Sequence, residues 1–181
     1  MKEKTRFQHL VIDRFLENFM ERMQREEDEK DAHERILVIT ERSLKTNVDV
    51  FIQRETDIGN IESIDGAILS WKSEAFHEMM LNQYNMEDLY VYLKSDPSKC
   101  LDRIQARARA EETDMNRVFL DDLHQRHEIL YRKLDANDKR TLILDVDRLV
   151  WPNCPPNSEI MINAIVTEIM RFVNRNRYLM A

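Results

Sequence analysis

Apolar residues recur every four positions at the start of the chain: Phe7, Val11, Phe15, Phe19 and Met23, with Leu10, Leu16 and Met20 alongside. That spacing predicts an amphipathic helix over residues 5–24. The charged run QREEDEKDAHER, residues 24–35, reads as a frayed helix end or loop. The period then breaks. ILVI, residues 36–39, is a short continuous apolar run with polar flanks and predicts a buried strand. It leads directly into Thr40-Glu41-Arg42-Ser43.

Helical spacing returns over residues 64–83, where Gly66 weakens the first turn. LYVYL, residues 89–93, predicts a second buried strand. Asp96-Pro97 then marks a helix start, with Asp as N-cap and Pro at the first helical position. Residues 117–135 form another helix, with Leu120, Leu123, His127, Leu130 and Leu134 on one face. TLIL, residues 141–144, is a third strand ending at Asp145. WPNCPPN is a loop, and residues 158–176 close the chain as a helix with Ile162, Ile165, Val166, Ile169 and Val173 inward. Met79 and Met80 are expected in the core. Strands separated by helices imply an α/β fold with a parallel sheet flanked by helices. No internal repeat, low-complexity tract or interdomain linker interrupts the chain, so residues 1–181 read as a single domain.

Composition narrows the function. At 181 residues and 43% hydrophobic, the chain supports a real core. A net charge of −7 argues against nonspecific binding to nucleic acid or anionic membrane. No apolar run approaches the roughly 20 residues of a membrane span, and MKEKTRFQHL has no apolar signal core. Cys100 and Cys154 are too few and too isolated for a disulfide framework or a zinc site. An intracellular, cytoplasmic location is the expectation. His124 and His127 lie three apart with no third ligand nearby, and read as surface or packed histidines rather than metal ligands.

Against this acidic background, CLDRIQARARAEE (residues 100–112) concentrates Arg103, Arg107 and Arg109 beside Glu111 and Glu112. Guanidinium forks offer paired donors to phosphate oxygens, and neighbouring carboxylates accept from sugar hydroxyls. Taken alone, such a run is more often a solvated helix end with ion pairs.

The wider pattern resembles the deoxynucleoside kinase family (the deoxycytidine, deoxyadenosine, deoxyguanosine and thymidine kinase 2-like enzymes). ILVITERS resembles the family's third strand with its E-R-S element, and VYLKSDPSKCLDRI its fourth. RIQARARAEE is similar to the lid pattern R-x-x-x-R-x-R-x-E-E, FLDDLHQRHEILY to the following helix, and TLILDVD to the fifth strand. The lid and the E-R-S element together are specific, whereas each alone is weak.

The resemblance implies ATP-dependent phosphorylation of a deoxynucleoside 5′-hydroxyl, with Mg2+. It implies that Glu41 lies near the magnesium and phosphates, and Arg42 near the sugar 5′ oxygen and the transferred phosphoryl group. Arg103, Arg107 and Arg109 become lid arginines over the ATP phosphates, and Glu112 the acceptor from the sugar 3′ hydroxyl. Gln8 pairs with the base and Phe51 stacks on it. Asn47 stands where the family sets base preference with Asp or Ala, so no base is assigned. Outside the resemblance, Glu41 and Arg42 also read as an exposed ion pair, Gln8 as a solvated helix residue, and Phe51 as core. Trp71 matches a family aromatic loosely or only packs.

One part of the family pattern is missing from these residues. The chain's two glycines, Gly59 and Gly66, form neither G-x-x-x-x-G-K-[ST] nor G-x-G-x-x-G. The expected fold is therefore a P-loop-kinase-like sheet lacking its first strand, P-loop and second strand, that is, an N-terminally truncated family domain. Without P-loop amides or the general base, the 181 residues alone are expected to be inactive or very weakly active. The missing central strand is expected to leave unpaired edges, filled by a partner or by rearrangement. Homodimerisation, or pairing with a related kinase chain, is expected to use the first helix and the helix over 64–83. The alternatives are a noncatalytic dimerisation module and a thymidylate-kinase-like enzyme with a similar lid.

Overall fold

The computed structural model describes residues 20–21, 24–25, 39–40, 42–83, 89–136, 140–149 and 159–177. Gln8, Glu41, the 151–157 loop, and nearly all of the expected 5–24 helix and 36–39 strand lie outside these residues. Of that strand only Ile39 is described, and it is 72% exposed. The chain divides into two compact units, Met1–Met86 and Glu87–Ala181.

The first unit is helical. α1 (Leu44–Thr46) passes into a π-helical turn (Asn47–Ile52) and then α2 (Gln53–Asp57). Ser43 caps this helix, its Oγ accepting from the Thr46 N–H at 3.0 Å, which satisfies one of the donors a helix start leaves open. At the wide turn the Gln53 N–H reaches the Val48 carbonyl. Thr46 and Val50 are buried along one side, and Val48 and Ile52 along the other. A helix covered on two sides gains from packing what the poorer π geometry loses. α3 (Ser63–Gln83) carries Leu69 into a cluster with Val48, Ile52 and Ile61, flanked by Leu44 and Phe76.

Gly66 belongs to that packing rather than weakening it. A Cβ there would meet Thr56 Oγ1 at 2.5 Å, and that hydroxyl is committed to the Ile52 carbonyl at 2.9 Å. The bare backbone lets α3 approach α2. Met80 is buried as expected, but Met79 is 43% exposed. The two are adjacent on α3, about 100° apart around its axis, so only one can face the core.

The second unit holds the sheet. β1 (Tyr90–Lys94) and β2 (Thr141–Asp145) pair in parallel, from Tyr90 opposite Thr141 to Lys94 opposite Asp145. Between them run α4 (Pro97–Arg107), a 3-10 turn (Ala110–Glu112) and α5 (Arg117–Ala136). α6 (Val146–Leu149) and α7 (Glu159–Arg177) follow β2. The connection through helices is what a parallel pair requires. Leu130, Tyr131 and Leu134 of α5 are buried. Tyr92 stacks on Tyr131 with ring centres 4.6 Å apart, and on His127 at 5.7 Å. Lys94 pairs with Glu128 at 2.9 Å, tying β1 to α5. His127 is thus a packed histidine.

Two expectations of burial are corrected. Leu93 and Ile143 are each 48% exposed, so the strands are not covered on both faces. On α7, Ile162 and Val166 are each 49% exposed, while Ile165, Ile169 and Val173 are half-buried. The inward stripe of α7 is narrower than its five apolar positions suggested.

Candidate functional site

The singled-out residues fall into two groups, one in each unit. In the first, Arg42 directly precedes the Ser43 cap and is exposed. Its guanidinium lies 4.0 Å from the centre of the Phe51 ring, a cation–π distance. Phe51 is half-buried on the π turn that Asn47 opens. A π turn adds a residue within the helix and so re-aims the side chains on it, and such turns are frequent at functional sites. Phe51 is therefore neither core nor fully solvated: one face of its ring is offered to Arg42.

The second group is the lid sequence. Asp96 caps α4 by accepting from the Ser98 N–H at 2.8 Å, and Pro97 takes the first helical position. The Ser98 hydroxyl and N–H hold the Asp96 carboxyl below its usual range. The helix ends at Arg107 because Ala108 turns left-handed, with φ 51°. That reversal, at a position that favours glycine, folds the following turn back beside the helix end. Glu112 then receives Arg107 through both oxygens, Nη2 to Oε1 at 2.5 Å and Nε to Oε2 at 3.1 Å. Arg109 Nη1 stands 3.8 Å from the same Oε1. The Glu112 side chain is only 14% exposed, while those of Arg107 and Arg109 are 47% and 60% exposed. The arrangement presents two guanidinium groups to solvent around one inward carboxylate. Glu111 is exposed.

Arg103 is held differently. Its Nη1 donates to Ser95 Oγ at 2.8 Å and its Nη2 to Asp147 Oδ1 at 3.1 Å. Asp147 also accepts from the Asp96 N–H at 2.7 Å and the Ser95 hydroxyl at 2.9 Å, with Lys99 at 3.8 Å. Partial burial works to raise its carboxyl pKa. The Asp96 N–H, Ser95, Lys99 and Arg103 outweigh that and hold it below the ordinary value. A depressed carboxyl contributes its stability above the unfolded-state pKa of about 3.9, and loses it as the pH falls through the lower folded value.

Asp147, Ser95 and Glu128 were not singled out by the sequence. The available signal was position: Asp145 and Asp147 close the C-terminal end of a parallel strand, where α/β proteins collect their site residues. Among the described residues no three His, Cys, Asp or Glu side chains converge on a metal position, and no helix is long and apolar enough to cross a membrane.

The family model for deoxynucleoside kinase matches residues 5–174. The chain belongs to the deoxynucleoside kinase family. This family member is 34% identical over 117 residues to deoxycytidine kinase 2 of Gallus gallus, across 59% of its own length and 43% of the relative's. It is 30% identical over 90 residues to mitochondrial thymidine kinase 2 of Homo sapiens, across 50% of its own length and 33% of the relative's. The solved deoxyadenosine kinase from M. mycoides, with bound dCTP, superposes with a TM-score of 0.51 at 18% identity, over 72% of this chain and 62% of that one. At that identity the likeness speaks to the fold, and it agrees with a parallel sheet flanked by helices. The chain thus spans less than half the length of each of these two curated relatives.

Proposed function

We propose that this chain carries the lid and acceptor elements of a deoxynucleoside kinase, which moves the γ-phosphoryl group of ATP to a deoxynucleoside 5′-hydroxyl. The observation that carries the reading is the Arg107–Glu112 fork with Arg109 beside it. In this reading Arg107 and Arg109 turn their exposed edges to the triphosphate, where fixed cations offset charge on the transferred oxygens. Glu112, already oriented by Arg107, accepts from the sugar 3′ hydroxyl. Arg42 sits at the start of a capped helix, near the 5′ oxygen. Phe51 offers a ring face to the base, Asn47 stands at the position that sets base preference, and Gln8 pairs with the base edge.

The 5′ oxygen attacks the γ-phosphorus, the bond to the β-phosphate oxygen breaks, ADP leaves, and the hydroxyl proton passes to a general base outside the residues assigned here. Glu41 is the residue the resemblance connects with Mg2+. Among the described residues no three His, Cys, Asp or Glu side chains converge to hold that ion, which when bound would offset charge on the phosphate oxygens. A cytoplasmic location belongs to the same proposal.

The 181 residues contain no phosphate-cradling glycine loop. Loss of a general base alone typically slows such reactions about 10²–10⁴-fold. The purified chain, given ATP, Mg2+ and each deoxynucleoside in turn, is therefore expected to bind nucleotide but to turn over weakly or not at all. Robust turnover would overturn the expectation of impairment. Failure to bind ATP and every deoxynucleoside would overturn the substrate assignment.

A second reading has its own support. Ile64, Ile68, Trp71 and Met79 on α3 are 68%, 48%, 71% and 43% exposed, and they recur at helical spacing along one side. Such a stripe fits pairing with another copy or a related kinase chain, as a noncatalytic module would use it. Light scattering of the purified chain, with and without a full-length kinase, tests this. A strict monomer that binds no kinase counts against it, and Trp71→Ala should weaken any dimer found.

A further inference from the structure

Arg103 and Arg107 lie one turn apart on α4, yet they are anchored to different bodies. Arg107 is paired with Glu112, 5 residues away within the lid itself. Arg103 is paired with Asp147, 44 residues away and just past the end of β2. A lid that moves as a body takes Arg107, Arg109 and Glu112 with it. For Arg103 to travel with them it must leave Ser95 and Asp147, which hold one N–H of each of its terminal nitrogens to the end of the sheet.

The carboxylate on the other side is committed as fully. Asp147 Oδ1 takes the Ser95 hydroxyl and Arg103, and Oδ2 takes the Asp96 N–H with Lys99 at 3.8 Å. Its own N–H donates to Asp145 Oδ1 at 3.2 Å, which fixes it to the strand end. The Asp147 side chain is 11% exposed, so these contacts are sheltered from full screening. One carboxylate thereby joins the end of β2, the β1–α4 junction and the second turn of α4.

We propose that Asp147 is a positioning residue: it holds the Arg103 fork and pins the root of α4 to the sheet, making Arg103 a strut and leaving Arg107 and Arg109 as the pair presented to phosphate. The last part of this rests on the kinase reading above, whereas the pinning does not.

The test uses the 181-residue chain with Asp147→Asn, Arg103→Ala and the double variant. Hydrogen exchange is followed over residues 97–107, and ATP binding by equilibrium dialysis. Each single variant is expected to raise exchange over 97–107 by about tenfold, the scale of one lost charge-assisted bond. The double variant should be no faster than either single, and exchange over 117–136 should stay unchanged. ATP affinity should fall by a similar factor in all three variants.

Wild-type exchange over 97–107 in Asp147→Asn overturns the proposal. So does a loss of ATP affinity in Arg103→Ala that Asp147→Asn does not share, because Arg103 would then meet the phosphate itself. If the wild-type chain binds no ATP, the kinase reading fails and the exchange result alone decides the role of Asp147. Should either single variant fail to fold, Ser95→Ala removes one contact of the same junction and is expected to raise exchange over 97–107 by a smaller factor. Unchanged exchange there overturns the proposal equally.

Discussion

Leu69→Ala is expected to destabilise the first unit by about 2–5 kcal/mol, the range for emptying a fully buried leucine site. Leu69 is 0% exposed and packs among Val48, Ile52 and Ile61, with Leu44 and Phe76 around them. The cost should fall toward the upper end, because the cavity cannot readily close. One turn before Leu69, the Gly66 backbone already lies against Thr56, with no room for a single added carbon, so α3 cannot move inward to fill the space. A typical domain is stable by only about 5–15 kcal/mol, so the loss is a large share of the total. The comparison is Ile68→Ala, next along the chain and 48% exposed, which should change stability by no more than about 0.5 kcal/mol. Urea unfolding of the three proteins measures both. Equal midpoints for Leu69→Ala and the wild type would show that this cluster is not the core.

The second large effect belongs to the lid. Arg107→Ala is expected to lower ATP affinity by roughly 10–100-fold, the range for losing charge-assisted hydrogen bonds to an anion. The same change leaves Glu112, 14% exposed, facing only Arg109 at 3.8 Å, so acceptor binding should weaken as well. Arg107→Lys should rescue little. A lysine is a point charge and cannot meet both Glu112 oxygens with a planar fork while keeping an outer edge for phosphate. Arg109→Ala should weaken ATP but spare the acceptor side, since Arg107 still orients Glu112. Equilibrium dialysis with labelled ATP and with each deoxynucleoside reads both quantities. Wild-type ATP affinity in Arg107→Ala would remove the arginine pair from the proposed site.

These expectations draw on two kinds of information. The capped start of α4 was legible because Asp96-Pro97 acts locally: one side chain satisfies one backbone donor, and one ring presets one dihedral. β1, β2, α5 and the long part of α3 were legible for a similar reason, since period and apolar run length depend on neighbours along the chain. The lid group was legible as a cluster of arginines beside glutamates, and the family as a pattern of such elements. The π turn was not, because it is stabilised by burial on two sides of one helix, and burial depends on what packs there.

The same boundary separates the individual residues. By itself the sequence determined where β1, β2, α3, α4, α5 and α7 lie, which residues form the arginine and glutamate cluster, and which family the chain belongs to. Only the tertiary structure decided that Gly66 is a contact rather than a weak point, that Met80 and not Met79 is buried, and that Ile162 and Val166 remain half exposed. It also decided that Arg107 turns to Glu112 while Arg103 turns to Asp147. Local elements follow from torsion preferences and short-range hydrogen bonds, which a linear pattern records. The partner of a charged side chain follows from which strand end is brought beside it, and for Arg103 that partner is 44 residues away.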